Sequence, residues 1–233
     1  GGGGGYGGGG FGCGGGGSIL AEVLPRVGVG ELVLVDFDRV KPTNQNRHLG
    51  ASEDDVDQGR SKVEVSAEVA RNAATCPDFS VRPVIGSAFE EDEEWSDYHA
   101  LKDLLDCDLI MNAADPDTVC CAVSRLAYAH LIPVVDAGSK LRTDENGRLT
   151  DESRSTVAVA SPGNPCLRCS DQWSDTGFEK ALTGEDPQGG YGDNPEDDSE
   201  DDAPVREPAA MPVNLLTMGL ACQRTLNIIH GLS

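Results

Sequence analysis

The sequence predicts an α/β protein with a mostly parallel sheet flanked by helices, an antiparallel extension and a C-terminal helix. One sequence pattern supports this prediction. Short runs rich in Val, Leu and Ile alternate along the chain with segments whose apolar residues recur at helical spacing. Such alternation is typical of βαβ units, in which right-handed crossovers make neighbouring strands parallel.

The first half of the chain contains two helix–strand steps. Residues 18–27 carry apolar side chains at helical spacing, and Gly28 marks the end of this helix. The run 31–36 is an apolar segment typical of a buried parallel strand. After a polar, loop-like stretch, residues 62–72 predict a second helix and residues 79–85 a second strand.

The second half continues the same alternation. Its predicted elements, in chain order, are a helix ending at 101–105, a strand at 107–113, a helix at 119–129 and a strand at 132–137. Residues 148–160 alternate between polar and apolar, which is typical of a half-exposed antiparallel strand. Residues 213–229 form the apolar closing helix.

Composition divides the chain into segments. Residues 1–11 are mostly glycine, and we interpret them as a flexible tail or a degenerate first strand. Residues 12–233 are predicted to form one domain, since a domain commonly holds about 100–200 residues. Within this domain, residues 171–208 are acidic and rich in Gly and Pro, which predicts a mobile loop.

The charge of the chain limits its partners. The 233 residues include 40 Asp and Glu against 18 Lys and Arg, a formal net charge of −22. Such a charge repels phosphates, so we expect neither nucleic acid nor a membrane surface as a general partner. Acidic residues with few lysines keep a protein hydrated in concentrated salt, which indicates a halophilic cytoplasm. We find no export signal and no apolar run of about 20 residues, so we expect a cytoplasmic protein.

The eight cysteines do not indicate a disulfide scaffold. They are scattered, several lie in apolar runs, and free thiols are the expectation in a reducing cytoplasm. Cys166 and Cys169 have metal-ligand spacing, but structural zinc needs four ligands and this pair supplies two. Cys222 lies in the apolar closing helix, where a buried thiol is the simpler interpretation. Zinc is therefore possible but has only half a site.

A glycine loop precedes the first predicted helix. Gly12, Gly14 and Gly17 match the pattern G-x-G-x-x-G, in which the backbone and a helix N-terminus approach a pyrophosphate. Asp36 ends the next strand roughly 20 residues later, where a carboxylate meets ribose hydroxyls in dinucleotide-binding folds of the Rossmann type. Asp38 follows two residues on. These residues alone fit an NAD-binding domain as well as an ATP-binding one.

Further polar motifs narrow the choice. Asn44 and Arg47 form N-x-x-R, Lys62 ends G-x-x-K, and Asp115 closes the buried strand in the order N-A-A-D. A P-C-x-x-C motif follows at 165–169. The order and spacing of these motifs resemble the ThiF-type adenylyltransferases. This family contains the enzymes that activate ubiquitin-like proteins and also serves thiamine and molybdopterin biosynthesis.

The resemblance implies an enzyme that joins the C-terminal carboxylate of a ubiquitin-like or sulfur-carrier protein to the α-phosphate of ATP. It implies Mg²⁺, a carrier ending in Gly-Gly and a homodimer. The implied catalytic residues are Arg47, Lys62 and Asp115, with Asp115 as the Mg²⁺ ligand. The implied nucleotide contacts are Gly12, Gly14 and Gly17 on phosphate, Asp36 at the ribose with Asp38 beside it, and Asn44, Arg47 and Lys62 on the triphosphate.

Simpler interpretations remain beside these. Arg47 and Lys62 could form surface salt bridges, and Asp115 could cap the following helix. An NAD(P)-binding Rossmann oxidoreductase would share the glycine loop and Asp36 but would leave Arg47 and Lys62 without a role. A catalytically degenerate relative that only binds a partner would fit the glycine-only first strand.

Overall fold

The computed structural model describes residues 7–86, 99–140, 154–183 and 211–231. Six strands form one sheet: β1 Gly7–Phe11, β2 Glu31–Asp36, β3 Ser80–Ile85, β4 Leu109–Asn112, β5 Val134–Lys140 and β6 Arg154–Ala160. Seven helices accompany it: α1 Gly15–Arg26, α2 Glu53–Asp57, α3 Lys62–Ala73, α4 His99–Leu104, α5 Asp117–His130, α6 Asp175–Thr183 and α7 Met211–Ile229. Among the described helices, none combines the length and the apolar character that a membrane span requires.

The strands lie in the order β3-β2-β1-β4-β5-β6. All neighbouring pairs are parallel except β5 and β6, which are antiparallel. The prediction of a mostly parallel sheet with an antiparallel extension is therefore confirmed. The chain leaves β1 in one direction to build β2 and β3, then crosses to its other side for β4. This reversal creates a crevice at the carboxyl ends of the central strands, where α/β sheets bind ligands.

Alternating side chains of the strands feed two cores. In β2, Leu32 and Leu34 belong to the core that packs under α1, α3 and α7, while Val33 and Val35 face the core under α4 and α5. In β4, Met111 belongs to the first core and Ile110 to the second. Strands β2 and β4 are buried on both faces, which explains why their sequences are almost continuously apolar.

The central strand β1 is made of glycines and one phenylalanine. Its register pairs Gly9 with Val33 on one side and with Ile110 on the other. Side chains of neighbouring elements fill the space above it, because a Cβ on Gly9 would lie 2.5 Å from Cδ2 of Leu104 and 2.9 Å from Sγ of Cys107. The strand is thus defined by what packs against it, since four of its five residues are glycines.

The segment predicted as a mobile loop at 171–208 contains helix α6. Ser174 begins this helix by accepting a 3.0 Å hydrogen bond from the Gly177 amide, and Trp173 packs against Phe178 across the first turn. The sequence did not predict this short amphipathic helix, because the segment around it is strongly acidic. Residues 184–210 lie outside the described residues, and so do 1–6 of the glycine-rich terminus.

Gly9 and Gly8 provide a matched test of packing over β1. We expect Gly9→Ala to lower the free energy of unfolding by about 1–3 kcal/mol, because the new methyl group overlaps Leu104 and Cys107. Gly8→Ala should be neutral or stabilising by up to about 1 kcal/mol, since its Cβ would meet Leu32 and Val29 at an ordinary 3.7 Å. Urea unfolding of both variants checks this. Equal destabilisation would contradict the packing described for β1.

Candidate functional site

A cavity of about 450 Å³ lies at the carboxyl ends of the central strands. Its walls come from the glycine loop after β1, the end of β2, the segment 41–48, the start of α3, the loop after β4, the middle of β5 and the first turns of α7. The cavity therefore lies where the strand order creates a crevice.

The glycine loop closes tightly between β1 and α1. Gly12 adopts φ +79°, and a Cβ there would lie 2.8 Å from the Ala114 amide nitrogen. Gly17 does not line the cavity, but a Cβ on it would lie 1.7 Å from the carbonyl oxygen of Gly12. Gly14, the N-cap of α1, brings no side-chain cap, and the first turn has no acidic residue. The N-terminus of α1 therefore presents its positive dipole end to the cavity.

Asp36 joins the end of β2 to this loop. Its Oδ2 accepts a 2.6 Å hydrogen bond from the Cys13 amide, and its Oδ1 accepts a 2.8 Å bond from the Asp38 amide. Burial raises the pKa of Asp36, while the nearby Lys62 ammonium opposes this and Asp38 adds to it. Each carboxylate oxygen retains a further lone pair, and Asp36 lines the cavity.

Lys62 reaches the same wall from the first position of α3. Its Nζ donates a 2.6 Å hydrogen bond to Oδ2 of Asp38, and its side chain is 9% exposed. Two backbone hydrogen bonds join the start of α3 to the segment after β2. The Lys62 amide donates to the Asp38 carbonyl, and the Val40 amide donates to the Arg60 carbonyl. The surface salt-bridge interpretation of Lys62 is therefore too simple, because its ammonium is buried in the cavity wall.

The 3₁₀ turn Pro42–Asn44 and the residues after it bring a second cation to the cavity. Asn44 accepts a 3.0 Å bond from the Lys41 amide, and Nη1 of Arg47 donates to the Thr43 carbonyl at 2.8 Å. Arg47 is buried although it is charged and lines the cavity. Burying a guanidinium is costly unless anionic or polar groups surround it, so this placement suits a site for anions.

His48 lies beside Arg47 in the cavity wall and is neutral at pH 7. Burial and, to a smaller extent, the nearby Lys62 ammonium lower its pKa to about 4. Its Nδ1 lies 3.0 Å from the Leu49 carbonyl, and its Nε2 lies 3.4 Å from Oγ of Ser66. His48 therefore shapes the cavity without adding charge.

Asp115 lines the opposite wall, three residues after β4. It does not cap α5, since the N-cap is Pro116 and no side chain caps that helix. The exposed carboxylate of Asp115 is the type of ligand that Mg²⁺ prefers. Asn112, at the end of β4, accepts a 3.4 Å hydrogen bond from the Ala114 amide and so supports the loop that carries Asp115.

A buried polar cluster lies directly behind this loop. Nδ2 of Asn112 donates a 2.6 Å hydrogen bond to Oδ1 of Asp136 on β5, and the Cys120 thiol lies 3.6 Å from the same oxygen. Burial raises the pKa of Asp136 to about 6, despite the hydrogen bonds from Asn112 and Cys120. Burial also raises the pKa of Cys120, so its thiol stays protonated. This cluster holds the Asn112 side chain in place behind the loop that carries Asp115.

The cysteine pair lies away from the cavity. Sγ of Cys166 is 3.3 Å from Sγ of Cys169, and all eight cysteines are free. Across residues 7–86, 99–140, 154–183 and 211–231, no group of three or more His, Cys, Asp or Glu side chains could hold a metal ion. Cys222 is buried in the core under α7. Within those ranges the pair gains no further ligand for zinc.

Most of the predicted site residues meet at the cavity. Those that line it are Gly12, Gly14, Asp36, Asp38, Asn44, Arg47, Lys62 and Asp115. Sequence reasoning did not single out Ser139 and Asn214, which also line the cavity. Asn214 could have been noticed as an amide among apolar residues near the start of the closing helix, and Ser139 as a polar residue shortly after a predicted strand.

Comparisons with known proteins give one consistent result. The ThiF family profile matches residues 11–231. The chain is 31% identical over 155 residues to molybdopterin-synthase adenylyltransferase of Escherichia coli, covering 66% of this chain and 53% of that protein. It is 31% identical over 154 residues to the SAMP-activating enzyme E1 of Haloferax volcanii, covering 66% and 48%. The chain thus spans about half the length of these curated relatives.

The fold has a similar counterpart among solved structures. The crystal structure of E. coli MccB with ATP superposes with a TM-score of 0.66 at 22% sequence identity. The match covers 98% of this chain and 57% of MccB. At this identity the likeness establishes the shared architecture, which agrees with the predicted fold class.

Asp136 should make the stability of the protein depend on pH. Its pKa rises from 3.8 to about 6 on folding, so the folded state holds a proton that the unfolded state loses. The stabilisation from this group is present below about pH 4 and is lost as the pH rises through 6. Asp136→Asn removes the titration. From pH 4 to pH 7 its stability relative to wild type should increase by about 2–3 kcal/mol.

Urea unfolding at several pH values measures this difference. Asp57→Asn, an exposed carboxylate on α2, is the matched control and should leave the difference flat across the range. A flat profile for Asp136→Asn as well would show that Asp136 titrates as an ordinary carboxylate.

Proposed function

The chain belongs to the ThiF family, and from that premise we propose that it is an ATP-dependent adenylyltransferase for the C-terminal carboxylate of a small protein. The substrate would be a ubiquitin-like or sulfur-carrier protein ending in Gly-Gly. The names of the two curated relatives support this class of reaction. We further propose a homodimer that works in a salt-rich cytoplasm.

The observation that carries the proposal is the composition of the cavity walls. A glycine loop at a helix N-terminus, a strand-end carboxylate and two buried cations share one cavity of about 450 Å³. The cavity wall carries three cations, Lys41, Arg47 and Lys62, against three carboxylates, Asp36, Asp38 and Asp115, whereas the whole chain has a net charge of −22. A polyphosphate is therefore repelled less at this cavity than over the rest of the acidic surface.

The reaction asks the protein for positioning and charge stabilisation. An oxygen of the carrier's terminal carboxylate bonds to the α-phosphorus of ATP while the bond from that phosphorus to the bridging oxygen breaks. Pyrophosphate leaves with the electron pair, and the acyl adenylate remains. Arg47 and Lys62 would stabilise negative charge on the phosphates, and both are held in place before substrate arrives.

Asp36 and Asp115 would hold the two ends of the nucleotide. The free lone pairs of Asp36 can accept ribose hydroxyls while its backbone hydrogen bonds keep the glycine loop closed. Asp115 fits Mg²⁺ by its hard oxygen donors and its place on the cavity wall. Bound Mg²⁺ would neutralise phosphate charge there.

The oxidoreductase alternative explains less of the cavity. The glycine loop and Asp36 would suffice for a dinucleotide, since one pyrophosphate fits the N-terminus of α1. Burying Arg47 and Lys62 in the same wall adds two positive charges for which a hydride transfer has no use. These cations favour a triphosphate.

ATP–pyrophosphate exchange in molar KCl with Mg²⁺ tests the proposal. Small proteins ending in Gly-Gly are added one at a time, and labelled pyrophosphate is followed into ATP. We expect exchange that requires both a carrier and Asp115, so Asp115→Ala should abolish it. Folded protein that binds an ATP analogue without exchange with any carrier would support the degenerate relative instead. Binding of NAD in preference to ATP would support the oxidoreductase.

Arg47 should be needed for exchange, since it is buried in the wall of the cavity. We expect Arg47→Gln to lower the exchange rate by about 100-fold or more, because a preorganised cation over the phosphates is lost. Arg71→Gln, on the exposed face of α3, is the matched control and should leave the rate within twofold. Wild-type exchange in Arg47→Gln would remove Arg47 from the proposed machinery.

A further inference from the structure

Asn214 brings a side-chain amide to the cavity from the first turns of α7. It is 6% exposed and lies in an otherwise apolar stretch of the helix, one turn before Met218. Both residues line the cavity. An amide at this depth costs free energy unless its polar atoms find partners, so its orientation is informative.

One side of the amide has a partner. Oγ of Ser139, near the end of β5, donates a 2.7 Å hydrogen bond to Oδ1 of Asn214. This bond leaves the two N–H groups of Nδ2 as the donors that face the cavity. Within the part of the chain that the structure describes, the bond from Ser139 is the hydrogen bond that the Asn214 side chain makes. The amide is therefore largely buried and held in one orientation, and Nδ2 is available to a ligand in the cavity that Asn214 lines.

The position of Nδ2 shows which ligand atoms it could meet. A Cβ on Gly15, the first residue of α1, would lie 2.7 Å from Nδ2 of Asn214. The same point lies 3.3 Å from Cγ of Arg47. The amide nitrogen, the N-terminus of α1 and the Arg47 side chain therefore surround one end of the glycine loop. All three favour negative charge.

We propose that Asn214 is a further phosphate-binding residue of this site and that Ser139 is its positioning residue. Nδ2 of Asn214 donates to an oxygen of the phosphate chain beside the glycine loop, and Ser139 fixes which face of the amide is presented. The assignment to a nucleotide rests on the proposed function, whereas the assignment to a phosphate anion rests on the geometry around Gly15. The carrier's carboxylate is a less suitable ligand here, because the donors converge on the glycine loop.

Asn214→Asp is the sharpest test, because it keeps the size of the side chain and the acceptor for Ser139. It replaces the two donors with a carboxylate that repels phosphate. By isothermal titration calorimetry, we expect the affinity for a non-hydrolysable ATP analogue to fall at least tenfold and the affinity for adenosine to stay within twofold. Asn214→Ala should show a smaller loss for the ATP analogue and none for adenosine.

Asn227→Asp is the matched control on the same helix. Oδ1 of Asn227 accepts a 3.0 Å bond from Gln223, and the residue does not line the cavity. We expect both affinities to be unchanged in this variant. Equal losses for the ATP analogue and adenosine in Asn214→Asp, or no loss in either, would overturn the proposal.

Inorganic tripolyphosphate separates this proposal from the proposed function. If tripolyphosphate raises the melting temperature of the wild type but not of Asn214→Asp, the phosphate assignment holds even where exchange fails with every carrier. If exchange proceeds and Asn214→Asp binds both probes normally, the phosphate assignment fails and the adenylyltransferase stands. For Ser139→Ala we expect a higher KM for ATP in exchange with an unchanged kcat, since Ser139 orients the donor without touching the reacting atoms.

Discussion

The carboxylate of Asp36 is the interaction on which the site depends. The glycines of the loop after β1 have no side chains that could stabilise its closed conformation. Residues outside the loop must therefore stabilise it. Asp36 does this by accepting from the Cys13 amide and from the Asp38 amide at the same time. The bond from the Asp38 amide also fixes the backbone at Asp38. The Asp38 carboxylate in turn accepts a hydrogen bond from Lys62. One side chain thereby connects the glycine loop, the end of β2 and, through Asp38, the Lys62 ammonium.

The segment between β2 and α3 is fixed to the same framework. The Leu49 amide donates a 2.9 Å hydrogen bond to Oγ of Ser18 in α1, which anchors the stretch that carries Arg47. On its far side, Arg60 bridges Asp55 of α2 and Glu68 of α3, at 2.8 and 2.7 Å. The connection between β2 and α3, which contains the 3₁₀ turn Pro42–Asn44 and the short helix α2, is thus tied to α1 and α3. Arg47 therefore keeps a defined position although it lies outside these helical turns.

The sequence predicted the fold well where local pattern and tertiary environment agree. The strand at 31–36 has the predicted bounds, because a run of buried branched residues ending in a carboxylate has few other structures open to it. The glycine-rich terminus could not be resolved from pattern, since the partners that define β1 are Leu104 and Cys107, about 95 residues away. Helix α6 was missed because the acidic composition around it outweighed one short amphipathic turn.

The charged residues of the candidate site could be predicted from the sequence more readily than its neutral residues. Arg47, Lys62 and Asp115 are conspicuous in the sequence because charge in a motif has few structural uses. Asn214 and Asp136 are polar residues inside apolar elements, and a sequence does not show whether such a residue faces a cavity or a buried partner. The structure separates the two cases, since Asn214 lines the cavity and Asp136 is paired with Asn112.

The glycine strand β1 also bears on the order in which the chain folds. A strand of glycines loses more backbone entropy on ordering than any other and gains almost no side-chain burial in return. Its hydrogen bonds become available only when β2 and β4 already stand on either side of it. β1 is synthesised before the other strands of this sheet. We nevertheless expect it to be the last strand to dock. The glycine loop would then form at the final folding step, so that binding of the proposed nucleotide would report completion of the whole domain.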